Sequence, residues 1–189
     1  MKNIILIHGY NGIPKIFNWL KEELNKKEYN VIVPEFAPRE GVIYSDWKQI
    51  MNNYKEYFNK DTIAICHSIG NEFLIKYINE NDISIDLYIS LAGFCEKFEH
   101  EGRDDLNRAV KEFLVNKEEI NKFKKLVRKS YSIYSDNDHI VPFDILESFV
   151  KNISSTPMLI KGIGHMGKKS GLETIPEVLE IIENNGLEK

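Results

Sequence analysis

Cysteine is scarce in this chain: there are 2 in 189 residues, Cys66 and Cys95. Each falls beside an apolar segment, so they read as buried free thiols and not as a secreted disulfide framework, which needs more of them. No C-x-x-C occurs and no two histidines stand at helical ligand spacing, so no metal site is expected. Long apolar runs are missing as well. The N-terminal run Ile4-Ile5-Leu6-Ile7 is short, whereas a membrane span needs ~20 apolar residues and a signal sequence needs a longer core with a cleavage site. The expected location is therefore the cytoplasm, with no membrane partner. Charge of one sign is not in excess either: the formal net charge is -4, which gives no reason to expect nucleic acid as a partner. No G-x-G-x-x-G is present and no acidic residue closes the second apolar run, which argues against a dinucleotide turn; no cofactor is expected. Repeats, low-complexity tracts and Pro/Gly/Ser-rich linkers are absent, so residues 1–189 read as a single domain.

What is present is an alternation. Short β-branched apolar runs at Ile4–Ile7, Asn30–Val33, Ile63–Cys66, Leu87–Leu91, Tyr131–Tyr134 and Met158–Ile160 read as strands. Between them lie segments with helical apolar periodicity. Ile13, Ile16, Phe17, Leu20 and Leu24 mark one, and Trp47, Ile50, Met51, Tyr54 and Phe58 a second. A third runs from Ile69 through Phe73 to Ile78, and the last carries Ile175, Val178, Leu179 and Ile182. This pattern predicts a mostly parallel six-stranded sheet with helices on both faces. Residues 94–130 break the rhythm with no strand and two helical patterns. Leu106, Ala109, Val110, Phe113 and Leu114 mark the first of these, and Ile120, Phe123, Leu126 and Val127 the second. From Glu96 to Lys129 there are 10 Lys/Arg and 8 Asp/Glu, interspersed, which argues against a phosphate-binding patch. The segment reads equally as a helical cap over a pocket or as a long crossover connection. If it is a cap, Phe94, Phe113 and Leu114 are the candidates to face the pocket.

Cys66-His67-Ser68-Ile69-Gly70 closes the third strand and opens a helix, which is the context of a nucleophile elbow presenting a serine hydroxyl above the sheet. The residues two before and two after the serine must be small. Gly70 meets that requirement, and Cys66 stands where glycine is usual. Acyl transfer also needs two backbone N–H donors aimed at the developing oxyanion. Ile69 supplies one, and Tyr10, in His8-Gly9-Tyr10-Asn11-Gly12 after the first strand, the other. His8 reads as a loop-organising residue. His67 should point away from the serine hydroxyl by strand alternation, and His100, within the charged segment, reads as solvated. The acid and base should follow in chain order. Asp136 and Asp138 both lie in the loop after the fifth strand, and His165 lies in Gly164-His165-Met166-Gly167 after the sixth, where open α/β sheets place their sites. Glycines around His165 suggest a loop flexible enough to bring it to Ser68. Position alone does not choose between the two aspartates, although Asp136, which follows the strand at once, reads more naturally as closing a local turn with the backbone two residues on.

The order and spacing of His8-Gly9-Tyr10-Asn11-Gly12, Pro14, Trp19-Leu20, His67-Ser68-Ile69-Gly70, Asp138-x-x-Val141-Pro142 and Gly164-His165 resemble the small serine α/β-hydrolases similar to retinoblastoma-binding protein 9 and its bacterial relatives. The resemblance covers nearly the whole chain. It implies a three-layer α/β-hydrolase fold without the usual leading hairpin, and a triad of Ser68, Asp138 and His165. The implied activity is carboxylesterase-like cleavage of a small-molecule acyl substrate (an ester, thioester or amide) through an acyl-enzyme. The competing expectation is a catalytically vestigial fold serving as a protein- or ligand-binding module.

Overall fold

A computed structural model describes residues 2–186. Six strands, β1 (Asn3–Ile7), β2 (Asn30–Ile32), β3 (Ile63–His67), β4 (Ile85–Leu91), β5 (Val127–Tyr134) and β6 (Thr156–Leu159), form one sheet in the order β2-β1-β3-β4-β5-β6. Every neighbouring pair is parallel. All residues of β3 and β4 are buried, which is why these strands read as uninterrupted apolar runs and not as alternating ones. The connecting helices are α1 (Lys15–Lys26), α2 (Tyr44–Asn52), α3 (Gly70–Asn81), α4 (Asp104–Phe113), α5 (Lys117–Leu126), α6 (Phe143–Ile153) and α7 (Pro176–Gly186).

The strand order reverses between β1 and β3. The chain leaves β1 toward β2 on one side and returns to β3 on the other, so the connections after β1 and β3 run off in opposite directions from neighbouring strand ends, which is where open α/β sheets place their sites. Register keeps those ends level, with Ile7 beside Cys66, His67 beside Leu91 and Leu91 beside Ile133.

Several strand ends move by one or two residues from the sequence reading, and three differences have a physical cause. β5 begins at Val127, inside the stretch expected to hold no strand. Val127 pairs with Ile85, and Arg128 is ion-paired with Asp86 of β4. The strand's start is charged because a neighbouring strand supplies the countercharge, which apolar periodicity cannot register. The second helix stops at Asn52, and Tyr54 and Phe58 flank a 3₁₀ turn yet still pack on the core. β6 starts at Thr156, with Pro157 on the sheet's edge where a missing donor is tolerated.

Helix α5, opened by an Asn116–Glu119 capping box, lies against α3 and β5, and Phe123 meets Tyr88 of β4 edge-on at 5.0 Å. It is a crossover helix covering the sheet. Helix α4 reaches the pocket beside Ser68 through Arg103, just before its first turn, and Leu106. The pocket-facing candidates fall elsewhere. Phe113 meets Trp47 at 5.1 Å, Phe94 packs edge-on against Phe98 at 4.9 Å, and Leu114 is half-buried away from the pocket lining. These residues have a helical period, but the period does not say which partner the apolar face meets.

Trp47 is the hub that ties α4 to the body. It stacks on Phe36 at 4.4 Å, touches Phe73 and Phe113 edge-on, and donates its indole N–H to the Ala37 carbonyl at 3.1 Å. Trp47→Ala is expected to cost about 3–5 kcal/mol of stability. Urea denaturation of the purified variant checks this, and a loss under about 1 kcal/mol would show that the cluster is not a structural hub.

Candidate active site

The elbow is built by sterics before chemistry. Ser68 sits at φ 53°, a left-handed conformation rare for a residue with a side chain, at the junction of β3 and α3. A Cβ at Gly70 would lie 2.7 Å from the carbonyl oxygens of both Ile7 and His8, and one at Gly9 would lie 2.8 Å from Ser68 Cβ. The small residue two after the serine is therefore demanded by β1 and the loop that follows it. Beneath the elbow, the buried Asn71 donates through Nδ2 to the Ser68 carbonyl (2.7 Å) and the Leu91 carbonyl (3.3 Å). Its Oδ1 accepts from the Tyr88 hydroxyl at 2.7 Å.

The β1 loop is organised by His8. Buried, this ring donates from Nδ1 to the Gly9 carbonyl (2.8 Å) and accepts the Phe36 N–H at Nε2 (3.1 Å), and burial lowers its pKa. Tyr10 and Ile69 flank the elbow, and among the described residues neither backbone N–H donates to a protein acceptor. The Tyr10 hydroxyl is hydrogen-bonded to Asp105 of α4. Burial first, and then this carboxylate, push its pKa up to about 12.

Asp138 is the aspartate that meets His165. Its Oδ2 accepts from His165 Nδ1 at 2.8 Å, while Oδ1 accepts the N–H groups of Ile140 (2.8 Å) and Val141 (3.0 Å). Its side chain is 0% exposed. Burial would raise its pKa, but the bond to His165 and the two backbone donors outweigh that and hold it below the usual carboxylate value. Asp136 does not form the local turn with the backbone two residues on; the bonds of that kind belong to Asp138. Asp136 Oδ1 instead accepts the Gly162 N–H at 2.9 Å. Ser135 Oγ accepts from Ile163 N (3.2 Å) and Asn137 Oδ1 from Gly164 N (2.8 Å). Four consecutive side chains, Ser135 to Asp138, thus grip the four residues Gly162 to His165. The glycines around His165 suggested mobility, but the loop is held.

Two other histidines differ from expectation. His67, expected to turn away from the serine hydroxyl, lines the same cavity as Ser68; its Nε2 donates to the His165 carbonyl at 2.7 Å and the rings lie 4.8 Å apart. Burial, then the neighbouring His165, lower its pKa to about 3. His67 therefore stays neutral and braces the loop. His100 is not solvated: it is half-buried, with Nε2 directed at the Ile140 carbonyl, and joins the 94–130 segment to the Asp138 loop. Both contacts link residues 40 or more apart in sequence, and no local pattern signals them.

Ser68, His67, His165, Tyr10, Asn11, Arg103, Leu106, Ile140 and Lys168 are among the residues lining one cavity of about 20 Å³, room for roughly one water molecule. Larger surface depressions lie along the N-terminal part of β5 and beside α4, away from Ser68. Ser68 Oγ makes no hydrogen bond to His165 Nε2 here; such bonds often close only when a substrate is bound.

A serine hydrolase family model matches residues 4–184. A Bacillus subtilis (strain 168) protein named as a hydrolase, YdeN, is 20% identical over 185 residues, covering 96% of this chain and 94% of that protein. A carboxylesterase of the same organism is 24% identical over 141 residues, 59% of this chain and 57% of that protein. The crystal structure of the ydeN gene product superposes with a TM-score of 0.84 at 20% identity over 98% of this chain and 99% of that one. A carboxylesterase structure from Nitrososphaera gargenis gives 0.72 at 14% identity, over 97% and 89%. These likenesses fix the fold as that of the α/β-hydrolases.

The lowered pKa of Asp138 carries a sign. Its contribution to stability is fully present above the unfolded value of about 3.9 and is lost as pH falls through the lower folded value. Asp138→Asn should therefore show a shallower acid limb of stability below about pH 4. Denaturation midpoints between about pH 6 and 3 measure it, and parallel curves for the two proteins would contradict the assignment.

Proposed function

We propose, from the premise that this chain belongs to the serine hydrolase family, that it cleaves a small carboxylic ester, thioester or amide through an acyl-enzyme on Ser68. The observation that carries this reading is that His165 is fixed by Asp138 at Nδ1 while its Nε2 is left unpartnered, in the cavity that also holds Ser68. Ser68 Oγ attacks the carbonyl carbon, and His165 Nε2 takes the hydroxyl proton. Asp138 holds the tautomer that keeps Nε2 bare and stabilises the imidazolium that forms. The tetrahedral oxyanion receives the unpaired N–H groups of Tyr10 and Ile69. His165 then returns the proton to the leaving group, and water repeats the sequence on the acyl-enzyme to release the acid. Among the described residues no group of three or more His, Cys, Asp or Glu is placed to hold a metal ion, and the steps above use the protein's own groups and one water molecule.

The cavity favours a short acyl group, with Leu106 and Ile140 as its apolar wall and α4 as a cap over it. The motif order supports a place among the small hydrolases similar to retinoblastoma-binding protein 9. Both cysteines are free and buried, which suits a reducing compartment such as the cytoplasm. No helix among the described residues is long and apolar enough to cross a membrane.

A fluorophosphonate probe should label Ser68, and Ser68→Ala should abolish both labelling and hydrolysis of short acyl esters. Labelling that persists in the variant would remove Ser68 from the role, and an unlabelled native protein would favour a binding module.

The two aspartates separate the acid from the clasp. Asp138→Asn leaves His165 without its orienting carboxylate and should cost on the order of 10⁴ in kcat. Asp136→Asn weakens one contact with the Gly162 N–H and should cost about tenfold or less. Kinetics on the two folded variants decide it, and equal losses would show that the clasp matters as much as the carboxylate.

A further inference from the structure

The formally charged residues lining the cavity are of one sign. Arg103 and Lys168 both line it, Asn11 adds a side-chain amide, and no carboxylate belongs to the lining. On a chain of net charge -4 this is not compositional background. Lys168 lies three residues after His165, is exposed, and forms no ion pair among the described residues, so its charge is available to a ligand. The Asn11 side chain has no hydrogen-bond partner among the described residues. Arg103 faces one carboxylate, Asp105, through Nε at 3.5 Å, and Asp105 is already engaged by the Tyr10 hydroxyl. That pair anchors the guanidinium through Nε and leaves its two terminal amino groups without a hydrogen-bond acceptor among the described residues. Donors therefore converge from three segments on the rim of a cavity whose interior has room only for the reacting group.

We infer that the substrate carries a carboxylate close to its scissile bond, held at the rim by Lys168, Arg103 and Asn11 while the carbonyl enters beside Ser68. The inference rests on the hydrolase reading and narrows it to a substrate class. The physics follows from position. A cation beside a low-dielectric cavity attracts an anion more strongly than one on open surface, and a guanidinium held in place offers a carboxylate directed donors. The arrangement selects against neutral esters of the same shape, because the rim's charge and amide would then be covered without a partner.

Two matched ester pairs test it. In the first, the charge is on the acyl side: 4-nitrophenyl hemisuccinate against its methyl ester. In the second it is on the leaving group: 4-acetoxybenzoate against its methyl ester. Each kcat/KM is divided by the rate of the same ester with hydroxide, which removes differences in intrinsic reactivity. In at least one pair the carboxylate member should be preferred about tenfold, and the pair that responds tells on which side of the bond the anion sits. The preference should shrink as salt rises from about 0.02 to 0.5 M. The ratio within a pair should fall about threefold or more in Lys168→Met and further in Lys168→Glu. Because each ratio is taken within one variant, loss of folded protein does not change it. No preference in either pair, or a preference untouched in Lys168→Glu, overturns the inference. If neutral esters are turned over and Ser68 is labelled while the preference is absent, only the substrate class fails. If no ester is cleaved and Ser68 stays unlabelled, the hydrolase reading fails and this inference with it.

Discussion

Two stretches of backbone touch in this protein where side chains would normally hold them apart. The loop after β1 lies directly on the turn between β3 and α3, with Gly9 against Ser68 Cβ on one side and Gly70 under the Ile7 and His8 carbonyls on the other. Much follows from that contact. It is available only because β1 and β3 are sheet neighbours at the reversal of strand order. It holds Ser68 in a conformation that side chains resist, with Asn71 and Tyr88 bracing the peptide from below. It also brings the unpaired N–H groups of Tyr10 and Ile69 to the same turn from different strands. Glycine at both contact points is thus a packing requirement with a chemical result.

The other half of the site is made by a different device. His165 comes from the loop after an edge strand, and β6 alone fixes little. The Ser135, Asp136 and Asn137 side chains take hold of the backbone on the N-terminal side of the ring, Asp138 holds the ring itself, and His67 takes hold of the ring residue's own carbonyl. The ring is located by neighbours on both sides, so its Nε2 has a defined direction. Because burial keeps His67 neutral, the brace adds no positive charge next to the imidazolium that would form during turnover.

Much of this was legible in the chain. The six apolar runs placed the sheet, and the elbow and the two later loops lay at strand ends as their motifs required. What stayed hidden shares one physical character: it depends on contacts distant in sequence. The charged start of β5 is a strand because Asp86 lies alongside. His100 looked like a surface residue because nothing nearby in sequence announces the Ile140 carbonyl. Phe113 has a helical period, but its partner is Trp47, not the pocket. Asp136 looked like a local turn-former, and its real acceptor role lies across a loop. Choosing Asp138 as the partner of His165 needed the resemblance, since residue type and spacing treat the two aspartates alike.

The edge position of β6 has a consequence for how the site can be lost. The strand is short, most of its residues are exposed, and it pairs with β5 on one side only. Segments of that kind open by themselves far more often than a whole domain unfolds. Opening here would carry away the Gly162–His165 loop while leaving the β1–β3 contact, and with it Ser68, intact. Amide exchange across Thr156–Leu159 would then report a population in which the nucleophile is in place but has no base, so that inactivation on warming runs ahead of the loss of the core.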